Sequence, residues 1–381
     1  MLDCGSLNWG FSIRVMPGLN LSSASEGLPE SCHRFGDALR FVLLWVLMFV
    51  IAPKAAAQAL SAEARASLRR GEVALDQGDF AGAIVALERA RELAPNRPEA
   101  LRPLLLAYLQ AGQIPKAVRV GREATAAWPE DAELHHWLGL AYFKTEQNPE
   151  ARQELQKSET LNGGNFATHF DLALVLLTMQ DYASAGRQLE RALGIRPSDA
   201  LAHLLLGRAY QNTNRSEDAI HQFQTALHLD SGVPLGHYHL GFAYQSVGQI
   251  QSALAEYRIE VVRTPASAQV HYQFGHCLLE SGDAKSAVLQ LERATQLDGQ
   301  NGDAFYDLGK AALLAGDATK AIPALRQSAV LRPGDPSPHY QLARALEKSG
   351  NREDAELERQ RFLDLKKAQP VTEGMATGRS Q

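Results

Sequence analysis

Six histidines are the first residues whose type and spacing could do chemistry. His135, His169, His203, His237, His271 and His339 fall on one register, separated by 34 residues or a multiple of 34. Imidazoles bind metals and carry protons near neutral pH, but a shared ion needs ligands a few ångströms apart. Side chains that recur once per structural unit sit one unit apart, so each ring is expected to pack by itself, half-buried between helices. Cys277 stands without a second thiol downstream of Cys32 and reads as a small buried filler. No phosphate loop, nucleophile elbow, zinc-binding H-E-x-x-H or paired Cys-x-x-Cys occurs in the chain. No catalytic residue, metal or cofactor is therefore expected.

The elements that carry these residues repeat without interruption. Units begin at Ala64, Pro98, Ala132, Phe166, Ala200, Pro234, Ala268, Gly302 and Pro336, each 34 residues long, which leaves no room for an inserted catalytic domain. A fixed period of this size marks stacked supersecondary units. Position 20 is alanine in all nine units, and position 8 is small in all but one, where Leu105 stands. Small residues at two fixed places let helix backbones approach closely. Position 7 is mostly leucine and position 11 mostly tyrosine or leucine, and spacings of three and four mark one helical face. Glycines such as Gly78 and Gly248 follow the first helix, Pro115 and Pro149 open the second, and prolines at position 32 close it. The histidines occupy position 4, in the first turn of the first helix, where the positive end of the dipole is expected to disfavour a protonated ring.

This pattern resembles the tetratricopeptide repeat. The unit from Pro234 to Ser267 carries Leu240-Gly241, Tyr244, Ala253, Tyr257 and Pro265 at the family's signature positions. The resemblance covers residues 64 to about 367 and implies an all-α, right-handed α-solenoid of nine stacked helix-turn-helix repeats. It also implies that positions 2, 5, 9, 12 and 13 of the first helices line an inner, concave groove for a protein or peptide partner. In this chain that groove would be built from Leu140, Phe143, Phe170, Leu174 and Leu177, then Tyr238, Phe242, Tyr272, His276, Tyr306 and Tyr340. The clamp of Lys, Asn and Arg with which some family members hold a C-terminal carboxylate is not expected, since position 5 is never lysine.

Residues 1–59 read as a leader. The run FVLLWVLMFVIA at 41–52 follows Arg34 and Arg40 and precedes small residues, with cleavage expected after Ala57 or Ala59. Its twelve residues fall short of the ~20 that span a bilayer. An uncleaved anchor, through which the chain would touch a membrane, is the other reading. Residues 60–367 form the solenoid and 368–381 a polar, disordered tail. Net charge is -5 with a pI of 6.2, and scattered basic residues give no footprint for nucleic acid. The expected role is a non-catalytic scaffold exported to the periplasm or cell envelope. The alternative is a substrate-recruiting module of an envelope glycosyltransferase, secretion or pilus-type assembly.

Overall fold

The computed structural model describes residues 60–95 and 97–368. The apolar run 41–52, both cleavage positions and the tail beyond Ala368 lie outside the described residues. Among those described there are eighteen helices and no strand, and no helix is long and apolar enough to cross a membrane.

The helices come in pairs that follow the 34-residue register. The first three repeats contain α1 (Ala62–Asp76) and α2 (Phe80–Leu93), α3 (Pro98–Gln110) and α4 (Ile114–Ala127), then α5 (Ala132–Lys144) and α6 (Asn148–Leu161). The middle three contain α7 (Phe166–Thr178) and α8 (Tyr182–Ile195), α9 (Ala200–Gln211) and α10 (Ser216–Leu229), then α11 (Gly236–Ser246) and α12 (Ile250–Arg263). The last three contain α13 (Ala268–Glu280) and α14 (Ala284–Leu297), α15 (Gly302–Leu314) and α16 (Ala318–Leu331), then α17 (Ser337–Lys348) and α18 (Arg352–Ala368). Nine of the described helices begin at an Asp, Asn or Ser whose side chain accepts from a backbone N–H of the first turn. The Asp181 carboxylate accepts from the Ser184 N–H at 3.2 Å and Asp199 from Ala202 at 2.9 Å. Between paired helices the chain turns through a left-handed residue at position 15. Glycine fills that corner in six repeats, and Glu146, Gln180 and Asn214 take it with φ of 60°, 60° and 61° in the other three.

Packing within a pair sets small against large. Gly207 faces Phe223, so close that a Cβ there would lie 2.5 Å from the ring, and Gly309 faces Leu325 in the same way. The departure at Leu105 is an exchange of the two partners. Repeat two puts the large residue on its first helix and the small one, Gly121, at position 24 of its second, where a Cβ would meet Leu138 at 2.9 Å. Tyrosines at position 11 tie one repeat to the next. Tyr210 donates its hydroxyl hydrogen to Glu190 at 2.7 Å, while Tyr244 accepts from Gln224 at 2.8 Å. The last helix buries only Ala355 and Glu358, and Arg359 pairs with Glu347 and Glu356 on its outer side, as a terminal cap requires.

Successive first helices touch each other along most of the stack, whereas no second helix makes comparable contact with the next second helix. Helices on the inner side of a curved stack are the ones that crowd, so the face of the first helices is the concave one. Direct contact is slightest at the step from α7 to α9, although side chains of both helices belong to one core cluster. The described residues thus form the right-handed α-solenoid expected from the register.

Candidate partner-binding groove

The exposure of positions 2, 5, 9, 12 and 13 of the first helices varies along the concave side, from buried Leu204 and Leu313 to exposed Arg208 and Lys310. Leu140, Phe143, Phe170, Leu174 and Leu177 are half-buried. They pack their lower edges on the repeat cores and leave the upper ones uncovered. Phe170 stacks on Phe166 with ring centres 5.5 Å apart. Further along, Phe242 is 37% exposed and Tyr340 is 47% exposed, while Tyr272, His276 and Tyr306 are half-buried. Tyr238 is placed differently. It is buried in the core with only its hydroxyl reaching the surface, where it accepts from the Gln269 amide at 2.7 Å.

Between the end of α7, α9 and α11 the groove deepens into a cavity of about 430 Å³. Leu177, Phe242 and Tyr182 form its apolar walls, and Arg208 and Gln211 of α9 with Asn212 just after it supply its polar side. His239 lies at its base, with its ring 5.6 Å from Phe223 in a stacked arrangement. Burial, and then the charge of Arg208, push the His239 ring down to a pKa of about 4, so it is neutral at physiological pH. One repeat further, His276 donates from Nδ1 to Asp307 at 2.8 Å. That hydrogen bond holds its pKa above the usual histidine value despite partial burial. Two groove histidines thus carry opposite protonation tendencies. Burial pushes the Tyr272 hydroxyl up to about 12, so this tyrosine offers an O–H donor and an apolar face.

The repeating histidines have a different surrounding. In all six, Nδ1 meets a carboxylate or amide oxygen at position 23 of the same repeat. The pairs are His135 with Glu154 at 2.5 Å, His169 with Gln188 at 2.7 Å, His203 with Gln222 at 2.7 Å, His237 with Glu256 at 2.6 Å, His271 with Gln290 at 2.9 Å and His339 with Glu358 at 2.5 Å. In four of them Nε2 also reaches a carbonyl at the end of the preceding repeat, as His135 does with Pro129 at 3.0 Å. Each ring is a strap between its two helices and the turn before them. A neutral ring has one N–H and can serve only one of two acceptors. The repeats without histidine put apolar or small pairs at the same two places, Leu101 with Val120 and Phe305 with Ala324. That correlation between columns 4 and 23 was present in the sequence and needed only the two columns side by side. No cluster of three or more metal-ligating side chains occurs among the described residues. Cys277 is buried, and burial pushes its thiol up to about 12, which leaves it unreactive.

Models of the tetratricopeptide repeat match residues 74–120, 103–165, 170–234 and 237–368. The chain belongs to the tetratricopeptide-repeat family. Among solved structures it is similar to the APC/C hetero-tetramer Cut9–Hcn1, with 18% identity and a TM-score of 0.50 over 76% of this chain and 57% of that one. It is also similar to MamA, with 25% identity and a TM-score of 0.41 over 44% of this chain and 92% of that one. A third is YrrB, described as a TPR protein with an unusual peptide-binding site, with 23% identity and a TM-score of 0.43 over 48% of this chain and 95% of that one. No curated protein matches the chain. The likeness to Cut9–Hcn1 is one of fold. The candidate groove residues of this family member are therefore read from its own structure, which adds the polar side of the cavity, Arg208, Gln211 and Asn212 at positions 9, 12 and 13, to the side chains chosen from the register.

Proposed function

We propose that this protein is a non-catalytic scaffold that holds a segment of a partner protein along the concave face of its first helices. The observation that carries the reading is the unbroken line of half-buried apolar side chains from Leu140 to Leu177, ending in the cavity beside Phe242. Contiguous apolar surface of this kind marks interaction sites in soluble proteins, and the cavity walls combine apolar area with a few polar groups, as recognition sites do. Crosslinked capture from cells with the full chain, alongside Phe170→Ala and Phe242→Ala variants, tests it. Loss of a specific partner by either variant is the expected result, and equal recovery by both removes the groove from the function.

The proposal includes export. Charge, an apolar run at 41–52 and small residues in that order support a secretory leader and a site of action in the periplasm or envelope. Cell fractionation with sequencing of the mature N-terminus checks it. The expected mature chain begins at Gln58 or Leu60, and an intact leader in the cytoplasmic fraction overturns it.

A further inference from the structure

Position 9 runs along the middle of the groove, and its residues change character from one end to the other. Leu106, Leu140 and Leu174 occupy it in repeats two to four, followed by Arg208, Phe242, His276, Lys310 and Arg344 in repeats five to nine. Arg208, Lys310 and Arg344 are exposed, and among the described residues none of them has a carboxylate within ion-pair distance. Arg344 bonds only the Gln341 amide and lies over the Tyr340 ring. The acidic groups of the same face each have another partner, with Asp307 and Glu280 sharing His276 and Asp303 sharing Arg332 with Asp335. From repeat four onward Asp171 lies 3.2 Å from His136, Asp307 2.8 Å and Glu280 3.5 Å from His276, Asp303 2.9 Å from Arg332, and Glu347 2.8 Å from Arg359. The groove of this chain, whose net charge is -5, thus holds a row of three exposed cations with no ion-pair partner of their own among the described residues. The cavity beside Arg208 has no carboxylate in its lining, and the Nε2 of Gln211 there is buried with no hydrogen-bond partner among the described residues.

We propose that the groove takes an extended partner segment bearing carboxylates, with one acid seated in the cavity on Arg208 and others over Lys310 and Arg344. Apolar residues of the same segment lie on Phe242 and on the leucine-rich stretch of repeats three and four. This rests on the scaffold reading above and adds the chemistry of the partner. Guanidinium and carboxylate match in a planar, two-pronged arrangement. Packed helices lie about 10 Å apart and an extended chain advances about 3.3 Å per residue, so successive repeats are met by about every third residue. Acids on Arg208 and Lys310, three repeats apart, are then separated by about nine residues, with a further acid about three residues on.

Selection of random displayed peptides on the immobilised full chain, repeated on Arg208→Glu and Lys310→Glu variants, tests the proposal. All three cations are exposed, so the variants are expected to melt as the parent does. Peptides enriched by the parent should combine Asp or Glu with Leu or Phe. Changing their acids to amides should weaken binding about tenfold, with a smaller salt dependence for the amide forms. Arg208→Glu should lose the acidic peptides and enrich basic ones. Acid-free peptides recovered equally by parent and variants overturn this proposal and leave the groove reading standing. Acidic peptides indifferent to both charge reversals overturn it as well, as do enriched peptides that reproduce a stretch of this chain, which assign the face to a second copy. No enrichment of any peptide overturns both readings.

Discussion

The seam between the paired helices and the groove above it are built from the same nine units, yet one is nearly uniform and the other is not. In the seam, alanine holds position 20 throughout, and the small-against-large pairing survives even where Leu105 and Gly121 exchange sides. In the groove, position 9 passes from leucine through arginine and phenylalanine to histidine and lysine. Every unit has to solve the same packing problem against neighbours of the same shape, and only a few combinations solve it. Among the described residues much of the groove face is left uncovered, so its side chains are free to follow an external requirement. Uniform columns in a solenoid report the fold, and columns that drift report the ligand.

The largest expected effect separates two phenylalanines one repeat apart. Phe223 is fully buried between Gly207 and His239, whereas Phe242 is 37% exposed in the groove. Phe223→Ala should cost about 3–5 kcal/mol, and Phe242→Ala should change stability by less than about 1 kcal/mol while abolishing partner capture. Denaturant midpoints measure both, and similar losses for the two erase the distinction between seam and groove.

A smaller effect tests whether the histidine straps belong to the seam. His135→Leu leaves the Glu154 carboxylate buried with only Lys157, 2.8 Å away, to pair with it. A cost of about 2–3 kcal/mol is expected, below the usual range for a broken buried pair because Lys157 remains. Adding Glu154→Val recreates the Leu101 and Val120 pair of repeat two, and apolar replacement of a buried ion pair is typically neutral or favourable. The double variant should therefore regain most of the loss. Failure to do so would show that the strap supplies something beyond filling the space.

Acid should act through the cavity at the base of the groove. The folded His239 ring has a pKa of about 4, below its unfolded value, so the unfolded chain binds more protons at any pH between about 4 and about 6.5. Stability then rises with pH through that window and falls on acidification, by about 2 kcal/mol at pH near 5. His276 works in the opposite sense. Its raised pKa makes its contribution present below about pH 6.5 and lost as pH climbs through the folded value, though its 38% exposure keeps that contribution small. Melting curves of the parent and of His239→Gln across this range should converge at neutral pH and separate in acid. Parallel curves would remove His239 as the source of the acid response.

The fold was legible because close helix approach leaves its mark on single columns. Ala83 and its eight counterparts could be seen in one sequence without any coordinates. Relations between columns were equally present but went unread, as in the swap of Leu105 with Gly121 or the pairing of His135 with Glu154. The cavity was not legible at all. Its lining comes from the end of α7, from Tyr182, and from α9, α11 and α13, and the way those elements meet comes from the summed packing of several repeats. The positions given to Phe170 and Phe242 were readable from the register, but the burial of Tyr238 depended on how α11 meets α13.

The smallest expected effect gives the same chemical change opposite signs within one seam. Gly186 and Gly207 both lie inside helices, α8 and α9, and alanine in place of glycine stabilises a helix interior by up to about 1 kcal/mol. At Gly186 a new Cβ would meet Ala209 at 3.8 Å and Leu206 at 3.9 Å, which is ordinary contact, so Gly186→Ala should gain nearly the full amount. At Gly207 the Cβ would come within 2.5 to 3.0 Å of three atoms of the Phe223 ring, and that ring is fully buried. Overpacking of this kind costs about 1–3 kcal/mol, more than the helix gains, so Gly207→Ala should lose about 1 kcal/mol net. Denaturant midpoints that move together for the two variants would mean that backbone entropy, and not the fit of Phe223 against its neighbour, keeps position 8 small.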